Sequence, residues 1–218
     1  MNNTDMKKVA ALFDLDGVLI DSEPLYSDFY DEIARIHNIQ TKNFSQVIKG
    51  STIGKILNDY FPTEAMKADV ISRLNQFETT MDLPIFEGAV DFISELKLKG
   101  IPAIIATSSA PEKMEHLYER LPEFISLFDG IITGADVNKS KPDPECYILA
   151  ARMAGCNPED CYVFEDSING LASGMASGAT VIGLTTTLPA SALKDKAHKL
   201  INGFTGFGVD NMLAIRKV

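Results

Sequence analysis

Five short apolar runs are spaced along this chain, and four of them stop abruptly at polar or acidic residues. Val9-Ala10-Ala11-Leu12-Phe13 ends at Asp14, and Ile104-Ile105-Ala106 ends at Thr107. Ile131-Ile132 ends at Thr133-Gly134, and Cys161-Tyr162-Val163-Phe164 ends at Glu165-Asp166. The fifth is Thr180-Val181-Ile182-Gly183-Leu184. A short run without polar alternation suits a strand buried on both faces. Helical patterns lie between the runs. Ala89, Phe92, Ile93 and Leu96 follow i, i+3, i+4, i+7 spacing, and Gly100 stands where a C-terminal cap belongs. A second helix is predicted from Pro144 to Ala154, with Ile148, Leu149 and Met153 as its apolar residues and Gly155 as its stop. A shorter one is predicted from Ser167 to Ala176. This alternation predicts an α/β fold, a Rossmann-like parallel sheet with helices on both faces.

Residues 22–82 break the alternation. Helices are predicted from Pro24 to His37, from near Asn43, from near Thr52, and from Thr63 to Met81 with Ile71, Leu74 and Phe77 on one face. No convincing strand lies among them. The expected organisation is a core of residues 1–21 and 83–218 with a helical cap, residues 22–82, inserted after the first strand. Its hinges fall near Gly17–Asp21 and Met81–Phe86.

A chain of 218 residues can bury about 70% of its unfolded surface and needs no disulfides. Its 20 Lys and Arg stand against 30 Asp and Glu, a net charge of −10, which argues against nucleic acid or an anionic membrane as partner. No apolar run approaches the ~18 residues of a membrane span. The three cysteines, Cys146, Cys156 and Cys161, lack C-x-x-C spacing, so free thiols are expected rather than a zinc site. With a polar N-terminus and no long apolar stripe, the expectation is a cytoplasmic monomer.

Ligands of an open parallel sheet bind outside the carboxyl ends of its strands. Asp14, Thr107 and Glu165-Asp166 end the predicted strands, and Asp16 and Lys141 complete a coherent set. Carboxylates gathered in one crevice repel one another unless a cation intervenes. Mg2+ takes oxygen ligands, uses one or two protein carboxylates, and leaves positions for water and phosphate. Such a centre suits phosphoryl transfer, because neutralised phosphoryl oxygens let a carboxylate approach an anionic electrophile. In that chemistry Asp14 is the nucleophile and becomes an aspartyl-phosphate. Asp16 is general acid to the leaving oxygen, then general base to water. The Thr107 hydroxyl and Lys141 bind the remaining phosphate oxygens.

The stretch from Phe13-Asp14-Leu15-Asp16-Gly17 to Asp21-Ser22-Glu23 resembles the first motif of the haloacid dehalogenase-like hydrolase superfamily. Ala106-Thr107-Ser108-Ser109 resembles its second motif and Lys141-Pro142-Asp143-Pro144 its third. Val163-Phe164-Glu165-Asp166-Ser167, with Gly170 and Gly174 following, resembles its fourth. The resemblance implies a Rossmann-like core, an inserted cap that closes over substrate, and Mg2+ as cofactor. It implies that the Asp14 carboxylate, the Asp16 backbone carbonyl and the Asp166 carboxylate hold the metal, with Glu165 a ligand or a supporting group. Thr107, Ser108 and Lys141 are then the phosphate-binding residues. Relatives that cleave carbon–halogen bonds lack the second Asp, so Asp16 favours phosphate chemistry. Asp21 and Asp143 read as turn or capping residues, Lys139 as a surface lysine, and His37, His116 and His198 as isolated histidines.

Within the superfamily the match is closest to the beta-phosphoglucomutase-like group of sugar-phosphate phosphatases. The expected partner is a small phosphorylated metabolite, by default a sugar or polyol phosphate. The mutase is the main alternative. It has a histidine at the place of Tyr26 and an arginine, gripping a second phosphate, at the place of Ile53. Without either group, hydrolysis is the better reading. Lys49 and Gly50 are the substrate-facing candidates in the cap, with Lys55 a weaker one. A catalytically silent sugar-phosphate sensor is the non-enzyme alternative. A receiver-type signalling module fits poorly, because Glu165-Asp166 follows the acceptor strand instead of preceding it.

Overall fold

The structure is a computed structural model and describes residues 8–49 and 51–215. Its sheet has six parallel strands in the order β3-β2-β1-β4-β5-β6. They are β1 (Ala10–Phe13), β2 (Ala103–Ala106), β3 (Gly130–Ile132), β4 (Cys161–Glu165), β5 (Thr180–Leu184) and β6 (Lys199–Ile201). The five apolar runs form β1 to β5. The sixth strand escaped prediction because it is short and pairs with β5 alone, so its side chains, Lys199 among them, stay at least partly exposed. The chain builds outward from β1 through β2 to β3, then returns to lay β4 on the other side of β1. Phe13 pairs with Ile105 on one side and with Phe164 on the other. The order therefore reverses between β1 and β4, and it sets Asp14 beside Glu165 and Asp166.

Alternation along β1 feeds two separate cores. Ala11 and Phe13 face Phe92, Leu117 and Met212, on α5 (Ala89–Leu98), α6 (Pro111–Arg120) and α11 (Val209–Leu213). Phe13 stacks on Phe164 with centroids 4.7 Å apart. Ala10 and Leu12 face Tyr147 and Ala150 of α8 (Glu145–Met153) and Leu171 of α9 (Ile168–Ser177). A Cβ on Gly174 would come within 2.9 Å of Val163 Cγ1 and 3.0 Å of Val181 Cγ2, so glycine lets α9 lie close against the sheet. The predicted helix at 144–154 is present, but its buried face is Cys146, Tyr147, Ala150 and Ala151, and Met153 is exposed. The small residues let α8 approach the sheet, which periodicity of large apolar residues could not reveal. Two short helices, α7 (Pro122–Ile125) and α10 (Ala190–Leu193), complete this part of the molecule.

Between β1 and α5 the described residues form four helices and no named strand: α1 (Glu23–Ile36), α2 (Phe44–Ile48), α3 (Ile53–Tyr60) and α4 (Glu64–Glu78). Thr52 and Thr63 cap α3 and α4, accepting from the amides of Lys55 and Met66. Ile33, Phe44, Ile48, Ile56, Phe61 and Val70 form a third core of their own. The stripe on α4 is Val70, Leu74 and Phe77; Leu74 and Phe77 lie on it as expected, while Ile71 is exposed and Val70 takes its place. The chain enters and leaves this insertion side by side. The Asp21 amide donates to the Pro84 carbonyl (2.8 Å) and the Phe86 amide to the Leu19 carbonyl (3.0 Å).

Candidate active site

Every strand that contributes to the site ends at the same edge of the sheet. Asp14 follows β1, and its amide donates to the Phe164 carbonyl at 3.0 Å. The chain then turns at Gly17, where φ is +75° and a Cβ would lie 2.1 Å from Asp166 Oδ2 and 2.6 Å from Thr187 Oγ1. Only glycine fits both the turn and the approach. The Thr186 hydroxyl, from the loop after β5, donates to the Gly17 carbonyl.

Lys141 reaches into this edge from the loop before α8. Its ammonium meets Asp14 Oδ1 at 2.6 Å, Glu165 Oε1 at 2.7 Å, and the Ala106 carbonyl and Tyr147 hydroxyl at 3.0 Å each. Burial alone would push Lys141 down, but Asp14 and Glu165 outweigh it and hold the ammonium well above its ordinary value. Glu165 is fully occupied. Its Oε1 also accepts from the Tyr147 hydroxyl, and its Oε2 accepts from the Asp166 amide, the Ser167 amide and the Ser167 hydroxyl, all at 3.0 Å. A Cβ at Gly170 would lie 1.7 Å from Glu165 Oε1, so the first turn of α9 seals this carboxylate in.

Asp14, Glu165 and Asp166 each offer an oxygen within 4.8 Å of the others. Lys141 bonds the first two; the Thr187 hydroxyl is the hydrogen-bond partner that favours the ionised form of Asp166. Burial, with Glu165 and Asp14 nearby, pushes Asp166 well above the usual carboxylate range. Burial chiefly, opposed by Lys141 and reinforced by Glu165, raises Asp14 to about 7. Negative charge is in excess here, and the donors are hard oxygens. That is the donor set a divalent cation of the Mg2+ type fits.

This charge imbalance has a measurable consequence. With Asp14 raised from 3.8 to about 7, the folded state holds a proton that the unfolded chain has already released. Unfolding free energy from this group should fall as pH rises from about 4 to about 7, then level off. A cation bound to the ionised carboxylates should offset the loss. Melting curves with chelator and with Mg2+ should therefore diverge as pH rises, Mg2+ stabilising by several degrees near pH 8 and little near pH 5. Curves that stay superimposed would remove the cation from this cluster.

Asp16 turns its side chain away from that cluster, towards the insertion. Oδ1 accepts from the Ser22 hydroxyl (2.7 Å) and Lys113 (2.6 Å), and Oδ2 from Lys113 (2.7 Å) and the Ser109 hydroxyl (3.1 Å). Burial would raise Asp16, but Lys113 and the two serines prevail and hold it below its ordinary value. Thr107 is buried at the end of β2, its Oγ1 3.0 Å from the Ser109 hydroxyl and amide; Ser108 beside it is exposed.

A pocket of 260 Å³ opens between Asp16 and the insertion. Tyr26, Ser27, Tyr30, Ser45 and Ser51 give it a hydroxyl-rich wall, and Glu23 and Lys49 also line it. Lys49 pairs with Glu23 at 3.0 Å. Gly50 lies outside the described residues. Lys55 pairs with Asp59 on the surface, and Lys139 is exposed beside Asp143. Asp143 accepts from the Glu145 amide two residues on, a turn contact just before α8. His37 bonds Asp69, His116 the Met81 carbonyl, and His198 the Val181 amide; none of these bonds is to the site.

Three residues of this centre went unread in the sequence. Tyr147 lies six residues past Lys141, on a helix whose small face hides it. Thr187 lies on the loop after β5 and carries no motif. Lys113 sits in the charged segment Pro111-Glu112-Lys113-Met114-Glu115-His116, where a lysine reads as solvated; only its place beside the buried Met114 and Leu117 hinted otherwise.

A family model described as haloacid dehalogenase-like hydrolase matches residues 9–178. Hexitol phosphatase A of Escherichia coli strain K12 is 31% identical over 190 residues, covering 84% of this chain and 86% of that protein. Validoxylamine A 7'-phosphate phosphatase of Streptomyces hygroscopicus subsp. limoneus is 29% identical over 196 residues, covering 87% and 91%. The crystal structure of a HAD hydrolase of family IA, variant 3, from Entamoeba histolytica superposes with a TM-score of 0.79 at 27% identity, covering 95% of this chain and 98% of that one. The strand order, the acidic edge beside β1 and these matches agree: the chain belongs to the haloacid dehalogenase-like hydrolase family.

Proposed function

We propose that this protein is a Mg2+-dependent phosphatase that hydrolyses a small phosphorylated polyol or sugar through an aspartyl-phosphate on Asp14. The observation that carries this reading is the pairing of two differently placed carboxylates. Asp14 lies in the acidic cluster against Lys141, while Asp16, two residues on, faces the pocket under Lys113. The chain is a phosphoric monoester hydrolase, and residues 22–82 act as the cap over its pocket.

Asp14 and Asp166, with the Asp16 backbone carbonyl, would hold Mg2+. Glu165, whose oxygens are already taken, supports Lys141 and the start of α9 instead. When bound, Mg2+ supplies charge neutralisation for the phosphoryl group. Lys141 and Thr107 orient the phosphate, with Ser108 beside them. An Asp14 oxygen attacks phosphorus, the bond from phosphorus to the leaving oxygen breaks, and Asp16 gives that oxygen its proton. Water then attacks the aspartyl-phosphate, Asp16 takes the water's proton, and phosphate and the Asp14 carboxylate are regenerated. The ionised state that Lys113 imposes suits Asp16 as base. As acid, it must first take up a proton and exchange one of its present donors for the leaving oxygen.

The pocket supports a small, neutral, hydroxylated leaving group. Its hydroxyl-rich wall offers hydrogen bonds to such a group, and Lys49, its one lysine among the described residues, is already paired with Glu23. The names of hexitol phosphatase A and the validoxylamine A 7'-phosphate enzyme point the same way. The mutase reading needs a grip on a second phosphate. Among the pocket's described residues the one cation is Lys49, and Glu23 already neutralises it.

The test is phosphate release from a panel of hexitol, hexose, pentose and nucleoside monophosphates, with and without Mg2+. Release from the polyol and sugar esters, dependent on Mg2+, is expected. Conversion of β-glucose 1-phosphate to glucose 6-phosphate when bisphosphate is supplied, with no phosphate released, would make the protein a mutase. No turnover of any ester would favour a silent sensor.

A further inference from the structure

Lys113 lies outside all four motifs, yet it is 2% exposed and bonded to the acid/base. A buried ammonium needs three acceptors. Two are the oxygens of Asp16, at 2.6 and 2.7 Å; the third is the hydroxyl of Tyr26 on α1, at 2.9 Å. Tyr26 in turn donates a hydrogen bond from its hydroxyl to Glu78 Oε1 on α4, at 2.6 Å. Its ring is fixed edge-on against Phe77, centroids 5.3 Å apart. The bonds therefore run from the body of the protein into the insertion: Lys113 on α6, then Tyr26, then Glu78.

The two serines bring Asp16 to four accepted hydrogen bonds, its full complement. Each serine holds one oxygen. Lys113 alone spans both and so sets the plane of the carboxylate. A leaving oxygen can displace a serine and leave that plane unchanged; displacing Lys113 would release it. Without Tyr26 in place, the ammonium lacks an acceptor on its far side and is free to turn towards water.

We propose that Lys113 is a positioning residue for Asp16, and that the Tyr26–Glu78 pair completes its seat, so that Asp16 is aimed when the insertion is docked over the site. This rests on Asp16 being the proton donor and acceptor of the proposed hydrolysis.

The experiment is pre-steady-state hydrolysis of p-nitrophenyl phosphate, whose leaving group departs without a proton, beside steady-state hydrolysis of sorbitol 6-phosphate. A p-nitrophenol burst in the wild type or Lys113→Met that Asp14→Asn abolishes tests the aspartyl-phosphate reading by itself. For Lys113→Met the expected result is a retained burst of about one equivalent per folded chain, with the following steady-state rate down roughly 10²-fold. Its kcat on sorbitol 6-phosphate should fall at least as far, with KM within about threefold. Tyr26→Phe, which keeps the ring on Phe77, should show the same pattern at roughly 5–10-fold and add little in the Lys113→Met background. A burst that shrinks in step with the steady-state rate would mean a merely structural role and overturn the proposal. So would additive effects of the two substitutions. If Lys113→Met does not fold, Tyr26→Phe decides: a slowed second step with an intact burst supports the proposal, and unchanged or uniformly reduced rates overturn it.

Discussion

Asp14→Asn is expected to lower Mg2+-dependent phosphate release by roughly 10⁴-fold or more, without loss of the fold. The amide has the shape of the carboxylate but cannot attack phosphorus. Stability should hold or rise, because the substitution removes one of three crowded carboxylates and leaves the Lys141–Glu165 pair at 2.7 Å in place. Three measurements check it: phosphate release, thermal unfolding, and labelled phosphate retained on acid-quenched chain. The wild type should retain label and Asp14→Asn should not. Steady-state turnover in Asp14→Asn would take Asp14 out of the nucleophile's role, whatever the other residues do.

Lys141→Met is expected to damage both stability and turnover, by separable routes. Among the described residues it removes the one cation paired with Asp14 and Glu165, both of them in buried surroundings. Breaking a buried pair from one side costs about 3–5 kcal/mol, because the remaining charge has no partner. In a chain of 218 residues that is a melting temperature lower by roughly 10 °C. Turnover should fall by roughly 10²–10³-fold, as when a preorganised donor to a transition-state oxygen is lost. Adding Glu165→Gln to Lys141→Met should recover part of the stability, since the stranded carboxylate is gone, and none of the turnover. Melting curves and rates on the single and double variants test this together. A double variant no more stable than Lys141→Met would show that burial of Glu165 is not what Lys141 sustains.

Much of the site was readable because its residues sit within a few positions of strand ends. An apolar run that stops at Asp14, Thr107 or Glu165-Asp166 marks the carboxyl end of a buried strand, and parallel strands bring all such ends to one edge. Lys141 was readable from its Lys-Pro-Asp-Pro setting. Whether Glu165 is ligand or support had stayed open, and the structure fills every one of its acceptor positions with Lys141, Tyr147, Asp166 and Ser167. Such saturation needs Lys141 and Tyr147 brought across to Glu165 from another stretch of chain, besides the adjacent Asp166 and Ser167, which spacing cannot reveal. The covered face of α8, and Ile71 on α4, escape the sequence for a similar reason. Ile71 and Met153 are as apolar as their neighbours, and only the packing partner decides which side of the helix is covered.

By itself the sequence determined the parallel α/β body, the helical insertion after β1, and the acidic edge with Asp14 and Asp16 at its start. These follow from local patterns, where hydrophobic period and strand termination act over a handful of residues. Tertiary structure alone decided what Asp16 faces. Lys113 lies 97 positions from Asp16, on a helix whose sequence reads as solvated, and Glu78 lies 52 positions from Tyr26. A lysine, a tyrosine and two carboxylates gain nothing from one another along the chain. They become a network only where the insertion folds against the body and excludes water, because burial leaves each charge or hydroxyl no partner but the next.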